Sequence, residues 1–200
     1  MQADYEVALA DNVSLRNKLY YRGLDWTSDG TRLLGAVPFL VGDSVVAFSV
    51  LRTQIQLLDD QDVVGNQLEA IFDLDAGSVH HDLLAGVEYT RTTDTFSIDV
   101  EFLSPVALQD PAQTSTPGIP VPGQSLAGEP RSTVFAPYLI DQISLGDSVQ
   151  LLAGARFDVI DFEDELTGRE RSDSELSPML GAVWLPGSDV SVYGNFSRSF

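Results

Sequence analysis

The chain has 200 residues, with 30 acidic against 11 basic side chains, a formal charge of −19 and no cysteine. That balance excludes nucleic acid as a partner, because phosphate binding needs clustered Lys and Arg, and the missing thiols exclude disulfides and thiolate metal sites. A hydrophobic fraction of 44%, arranged in regular alternation, excludes a disordered acidic tail and leaves a single folded domain.

In chain order, Tyr5, Val7 and Leu9 form one apolar edge, a short turn follows at Ala10–Val13, and Leu15, Leu19 and Tyr21 continue beyond it. The polar stretch Thr27–Ser44 reads as a long connection. Residues 45–58 and 60–74 both alternate. Short turns lie on one side only if an even number of spanning strands separates them, so 45–74 is expected to be one long, bulged strand with Asp59, Asp60 and Asp62 in its wet part. Leu68, Ala70, Phe72 and Leu74 run down to the turn Asp75–Ser78, and Leu83, Ala85, Val87 and Tyr89 climb away from it. Their opposite faces carry Gln67, Glu69, Asp73, Gly86, Glu88 and Thr90. Thr93–Arg131 is a second long connection; within it 103–130 holds most of the ten prolines and is expected to be a loop rather than a central strand. After the turn Gly146–Ser148, Val149 to Val159 alternate with apolar Leu151, Ala153, Ala155 and Phe157 on one face and Gln150, Gly154, Arg156 and Asp158 on the other. A third long stretch, Asp164–Asp173, leads to Leu180, Ala182 and Trp184, the turn Pro186–Asp189, and Val190, Val192, Gly194 and Phe196.

Side chains alternate faces along a strand, and these stripes run for about the 9–11 residues that a tilted strand needs to cross a bilayer. A charge on the lipid side of such a strand costs about 2–4 kcal/mol at the midplane, so apolar faces free of charge are informative in so acidic a chain. Tyr89, Phe157 and Trp184 fit interfacial girdles. No stretch is long and apolar enough for a membrane helix, and Met1-Gln2-Ala3-Asp4 is not a signal peptide. The expected fold is all-β: an antiparallel transmembrane β-barrel segment of about eight meandering strands, with short periplasmic turns, long extracellular loops and the outer membrane of a Gram-negative bacterium as its location. A barrel wall without an export signal is expected to be a piece of a longer chain.

No catalytic, cofactor or metal residue is expected. There is no GxSxG elbow, HExxH or phosphate-cradling glycine loop, so an enzyme is not expected. His80 and His81 are adjacent, and adjacent strand residues point to opposite faces, so the two cannot ligate one ion. Asp158, Asp161, Glu163, Asp164 and Glu165 offer oxygens suited to a hard cation, but without EF-hand spacing they read as a solvated rim. Asp59, Asp60 and Asp62 read the same way. Trp26, Phe39 and Phe48 are aromatics able to stack on a ligand at the outer mouth, or to form an apolar patch in an extracellular sheet; no residue is assigned to ligand contact.

Several segments resemble the barrel of TonB-dependent siderophore receptors: Tyr138 with Asp141-Gln142, Leu152–Asp158, Leu176-Ser177-Pro178, Tyr193 with Phe196-Ser197-Arg198-Ser199-Phe200, LADNVSLRNKLYYR over Leu9–Arg22, and the Leu68–Tyr89 hairpin. The resemblance implies part of a barrel of about 22 strands, taking up ferric siderophores with energy passed from TonB. Residues 1–200 would be the barrel portion only, with the plug domain and the remaining strands absent. Partners would be outer-membrane lipid and lipopolysaccharide, the ferric siderophore and TonB through the full-length protein, and its own plug, to which Glu69, Glu88, Arg156 and Asp158 would hydrogen-bond. Two other readings stay open. One is a complete eight-stranded barrel with a structural or adhesion role, closed by Val190–Phe200 on Tyr5–Leu9; the other is a soluble β-sandwich binding module.

Overall fold

The computed structural model describes residues 1–111, 117–187 and 189–199. They form one antiparallel sheet and, among the described residues, no helix. Eight principal strands follow one another in sequence order: β1 (Gln2–Ala10), β2 (Val13–Val41), β3 (Ser44–Ala76), β4 (Val79–Ala107), then β7 (Pro130–Leu145), β8 (Val149–Asp164), β9 (Arg169–Gly187) and β10 (Val190–Ser197). Two short pieces, β5 (Ile119–Pro120) and β6 (Leu126–Gly128), pair with the outer part of β4. Each principal strand pairs with the next, the meander expected of a barrel wall.

The sheet has two open edges. Among the described residues β1 pairs only with β2 and β10 only with β9, so Val190–Ser197 does not close onto Tyr5–Leu9, which removes the closed eight-stranded barrel. The β-sandwich fails as well. A single sheet has no second layer against which to bury its apolar face, and Leu139, Leu180, Trp184 and Phe196 on that face stay exposed.

Residues 45–74 are indeed one strand: β3 runs unbroken for 33 residues. At about 3.3 Å per residue this is roughly 100 Å, several times a membrane crossing. Two long connections are corrected in kind. Residues 27–41 are not loop but the second half of β2, paired to β3 as far as Val41↔Ser44 and turned by Gly42, whose φ of 61° suits a residue without Cβ. Likewise β4 continues through 93–107, and the proline rule is respected because Pro105 lies at the irregularity opposite Val50/Arg52. The 164–173 stretch narrows to a turn between β8 and β9. Loop remains at 108–111, 117–118 and 121–125; residues 112–116 lie outside the described residues, as do Ser188 of the 186–189 turn and the motif's final Phe200.

Cross-strand register shows what these arms are. Near the short turns one face carries rows such as Ala70–Ala85–Leu139–Ala155–Pro178 and Leu68–Val87–Pro137, while the other carries Glu69–Gly86–Tyr138–Arg156–Ser177. The apolar face extends from the row of Val79, Val149 and Trp184 to the row of Tyr89, Phe135 and Val159. Ten residues of tilted strand cover about 25 Å of height, the thickness of an outer-membrane apolar band. Beyond Tyr89 the pattern inverts. Trp26, Leu57, Phe96, Ile98 and Phe102 now share the face of Glu69 and Tyr138, and Asp25, Asp60, Asp29, Asp99 and Glu101 take the other. Once lipid ends, the outer face meets water and becomes acidic.

Candidate functional site

The polar face of the band is a cross-strand network. Gln67 on β3 donates to the Tyr138 hydroxyl at 2.7 Å, and Tyr138 on β7 donates back to Glu69 at 2.7 Å. Arg156 on β8 donates to Glu88 on β4 at 2.7 Å and to Asp158 at 2.8 Å, with its guanidinium 5.9 Å from the Tyr138 ring centre. On β2, Tyr20 reaches Thr90 on β4 at 3.0 Å. These bonds skip a strand because two tyrosines lie flat over glycines. A Cβ on Gly86 would stand 2.3 Å from Tyr138 Cζ, and one on Gly65 would stand 2.1 Å from Tyr20 Cζ. Each ring fills the volume its glycine leaves empty. Glu69, Glu88, Arg156 and Asp158 therefore do share the inward face; Arg156 pairs with Glu88 and Asp158, Glu69 is held by Tyr138, Gln67 and Arg16, and Glu69 and Asp158 are each only 9% exposed.

The other candidates separate. His80 and His81 point apart. His81 bonds Asp141 at 2.9 Å, whereas His80 Nδ1 lies 3.0 Å from Asp75 and 3.6 Å from Asp73, and its Nε2 lies 3.4 Å from Asp82. Asp73, Asp75 and His80 bring one ligand atom each within 4.8 Å of one another, but both aspartates are exposed, and water competes for a cation there. The register of β7 places Asp141 between Leu83 and Ala153 on the lipid-side face. That polar pair inside the apolar band is not visible from β4 and β8 alone; the period-two phase of β7 itself carries the signal.

The acidic run of β8 is divided. Asp164 accepts from the Thr167 hydroxyl at 2.6 Å and from the backbone N–H groups of Glu129, Leu166 and Thr167. These bonds, the hydroxyl's first, hold its carboxyl below the usual range. Glu163 and Glu165 pair with Arg131 at 2.7 and 2.9 Å, and the Glu163 bond holds the guanidinium proton more firmly than usual. No cation cage forms from these residues.

On the long arms, Trp26, Asp59, Phe96 and Gly128 are direct cross-strand neighbours on β2, β3, β4 and β6, all on the inward face. They line a cavity of about 340 Å³ that also reaches Leu166. Asp59 meets Asp94 carboxyl to carboxyl, one oxygen of each is buried with no donor, and burial followed by the facing Asp59 pushes the Asp94 carboxyl up. Of the three aromatics singled out above, Trp26 reaches this cavity; Phe39 and Phe48 lie at the hairpin tip, more than ten residues further along. Asp60 and Asp62 fall on the outer face, apart from Asp59.

An open, single-layer wall with an apolar band outside and a hydrogen-bonded polar network inside defines a segment of a membrane β-barrel. The family model for the TonB dependent receptor-like β-barrel matches residues 1–200, and the chain belongs to that family. No curated protein matches. Among solved structures it is similar to the ferric-catecholate import receptor Fiu of Escherichia coli K12, with 19% identity, 98% of this chain and 32% of that one covered and a TM-score of 0.79. It is also similar to the ferric preacinetobactin receptor BauA of Acinetobacter baumannii, with 19% identity, coverage of 97% and 29% and a TM-score of 0.71. A third is the siderophore receptor PiuA of A. baumannii, with 14% identity, coverage of 98% and 31% and a TM-score of 0.66. The chain spans about a third of the length of each.

Proposed function

We propose that residues 1–200 are part of the barrel wall of a longer outer-membrane receptor that takes up ferric siderophores with energy from TonB. The observation that supports this most is the inversion of polarity along β2, β3 and β4. Only a wall with lipid outside its lower part and water outside its upper part needs apolar residues outward below and acids outward above. In this reading the short turns face the periplasm and the long arms stand outside the cell, where the acidic outer face meets lipopolysaccharide. The inward network stiffens the wall around a plug, leaving the upper arms for ligand contact.

The coding sequence around this segment tests the proposal. It should specify a plug domain upstream and enough further strands to close the barrel, and deletion of the gene should lower uptake of iron from at least one chelate. An upstream frame without a plug, or undiminished uptake across a panel of chelates, would refute it.

A further inference from the structure

Between the inward network and the short turns, the inner face of the wall changes character. The row below Tyr138 and Arg156 is apolar, with Ile71, Leu84, Ile140 and Met179 in one register on β3, β4, β7 and β9. Ile140 and Met179 close over Gly154, where a Cβ would stand 3.3 and 3.1 Å from them. The next two inward rows, Gln142–Leu152–Gly181–Asn195 and Gln150–Val183–Tyr193, line a cavity of about 300 Å³. In a chain of formal charge −19, no charged side chain lines this cavity among the described residues. Leu152 and Tyr193 are exposed. The carboxamides of Gln142, Gln150 and Asn195 have no hydrogen-bond partner among the described residues, whereas Gln67 in the network above donates to Tyr138 and Glu69. A barrel interior that meets water is polar, so an exposed apolar belt on this face marks a surface that something covers. Acyl chains lie on the other side of the wall, and an ionic ligand would find no counter-charge. Each carboxamide both donates and accepts, as a peptide group does. Free amides around an apolar floor therefore match the main chain of an extended polypeptide, with one apolar side chain over Gly181. The chain spans about a third of the length of the solved receptors it resembles, so in the receptor reading the same molecule supplies that polypeptide.

We propose that the groove formed by Leu152, Gly181, Val183 and Tyr193 seats an extended segment of the plug, whose peptide groups bond Gln142, Gln150 and Asn195. The inference rests on the receptor reading and adds to it where the plug is anchored: on uncharged contacts at the short-turn end of β8, β9 and β10.

The test uses the full receptor that carries this segment, in detergent micelles, with Tyr193→p-benzoylphenylalanine. On irradiation its ketone attaches to C–H bonds in contact with it, and peptide mapping should find it joined to a plug segment of the same molecule. Trp184→p-benzoylphenylalanine, on the lipid side of the same strand pair, should join no plug segment. Should the Tyr193 variant fail to fold, Val183→p-benzoylphenylalanine repeats the capture from the same row. Hydrogen exchange of the captured segment, followed without the label, then reports its seating. Gly181→Ala adds a methyl 3.5 Å from Leu152 Cβ, ordinary contact for the wall, but takes space from the occupant. Protection of the segment should fall about fivefold or more. Gly194→Ala, whose Cβ meets nothing within 4 Å, should leave it unchanged. Capture of a barrel strand or of detergent alone at Tyr193, or protection that Gly181→Ala leaves intact, overturns the seat. Val134→p-benzoylphenylalanine, inward and beside Thr90 at the top of the network, decides the receptor reading separately. Plug capture there without capture at Tyr193 leaves that reading standing, and capture at neither position overturns both.

Discussion

Replacing Gly86 by alanine tests whether the inward network depends on the seating of Tyr138. The new Cβ would lie 2.3 Å from Tyr138 Cζ and 2.6 Å from its hydroxyl oxygen, so the ring has to retreat by about 1 Å or more to reach ordinary contact distance. Its hydroxyl then leaves Gln67 and Glu69, at about 1 kcal/mol for each bond. Glu69 loses a donor but keeps the Gln67 amide at 2.9 Å and Arg16 at 3.7 Å, so the penalty for a stranded carboxylate falls at the low end of its usual range, about 1 kcal/mol. The total is about 2–3 kcal/mol, read as a shift in the urea midpoint of the barrel in micelles by tryptophan fluorescence. Tyr138→Phe removes the same two bonds without moving the ring and should cost about 2 kcal/mol. Because both changes act on the same bonds, the double variant should lose about 3 kcal/mol rather than the sum of nearly 5. Gly194→Ala, where nothing lies within 4 Å of the new Cβ, should stay within about 0.5 kcal/mol of the parent. Strict additivity of Gly86→Ala and Tyr138→Phe, or a Gly86→Ala barrel as stable as the Gly194→Ala control, would refute the reasoning.

Three further outcomes follow from the same geometry. Asp141→Leu leaves His81 without its partner on the lipid-side face, and His81→Leu strands Asp141. Each should destabilise the barrel by about 1–3 kcal/mol, while the double Leu variant should recover most of that loss because it restores an unbroken apolar surface, as a double-mutant cycle in micelles would show. Asp164 has its carboxyl depressed by the Thr167 hydroxyl and three backbone N–H groups, so it binds fewer protons folded than unfolded. Its support for the β8–β9 turn is fully present above the ordinary value of 3.8 and fades as pH falls through the lower folded value; cleavage of that turn by an acid-active protease should rise over this window. Asp164→Ala should show the faster cleavage at neutral pH and lose the pH dependence.

Much of the wall is legible in the amino-acid sequence. The stripes Leu68–Leu74, Leu83–Tyr89 and Val149–Val159 each hold one phase of alternation over the length of a membrane crossing, and counting turns from them already requires 45–74 to be one strand. The arms are not legible, for a physical reason. On β4 the apolar residues sit at Leu83, Ala85, Val87 and Tyr89, then shift to Phe96, Ile98, Val100 and Phe102. Odd positions give way to even ones where the outer solvent changes from lipid to water. A search for one continuous phase sees the pattern fail at that boundary and takes the rest for loop. Proline at 105 reinforces that impression, since a bulge able to accommodate it cannot be foreseen from one strand. The meeting of Trp26, Asp59 and Phe96 is hidden for a related reason: it depends on the register of residues far apart in sequence, and Phe96 lies in a stretch that reads as a connection. Asp141 emerges only when 135–145 is read by its own period of two, because Phe135, Pro137, Leu139, Ile143 and Leu145 mark the apolar face on which it lies.

A scan of single spin labels along β4 addresses the orientation of the wall most directly, since residues 1–200 contribute no cysteine of their own. With cysteine substituted one position at a time from Leu83 to Tyr89 in the bilayer-reconstituted receptor, relaxation by oxygen should peak at Leu83, Ala85, Val87 and Tyr89. At Leu84, Gly86 and Glu88 it should be low. Labels at the first set shielded from oxygen as completely as those at the second would contradict a lipid-facing stripe, and with it the membrane barrel.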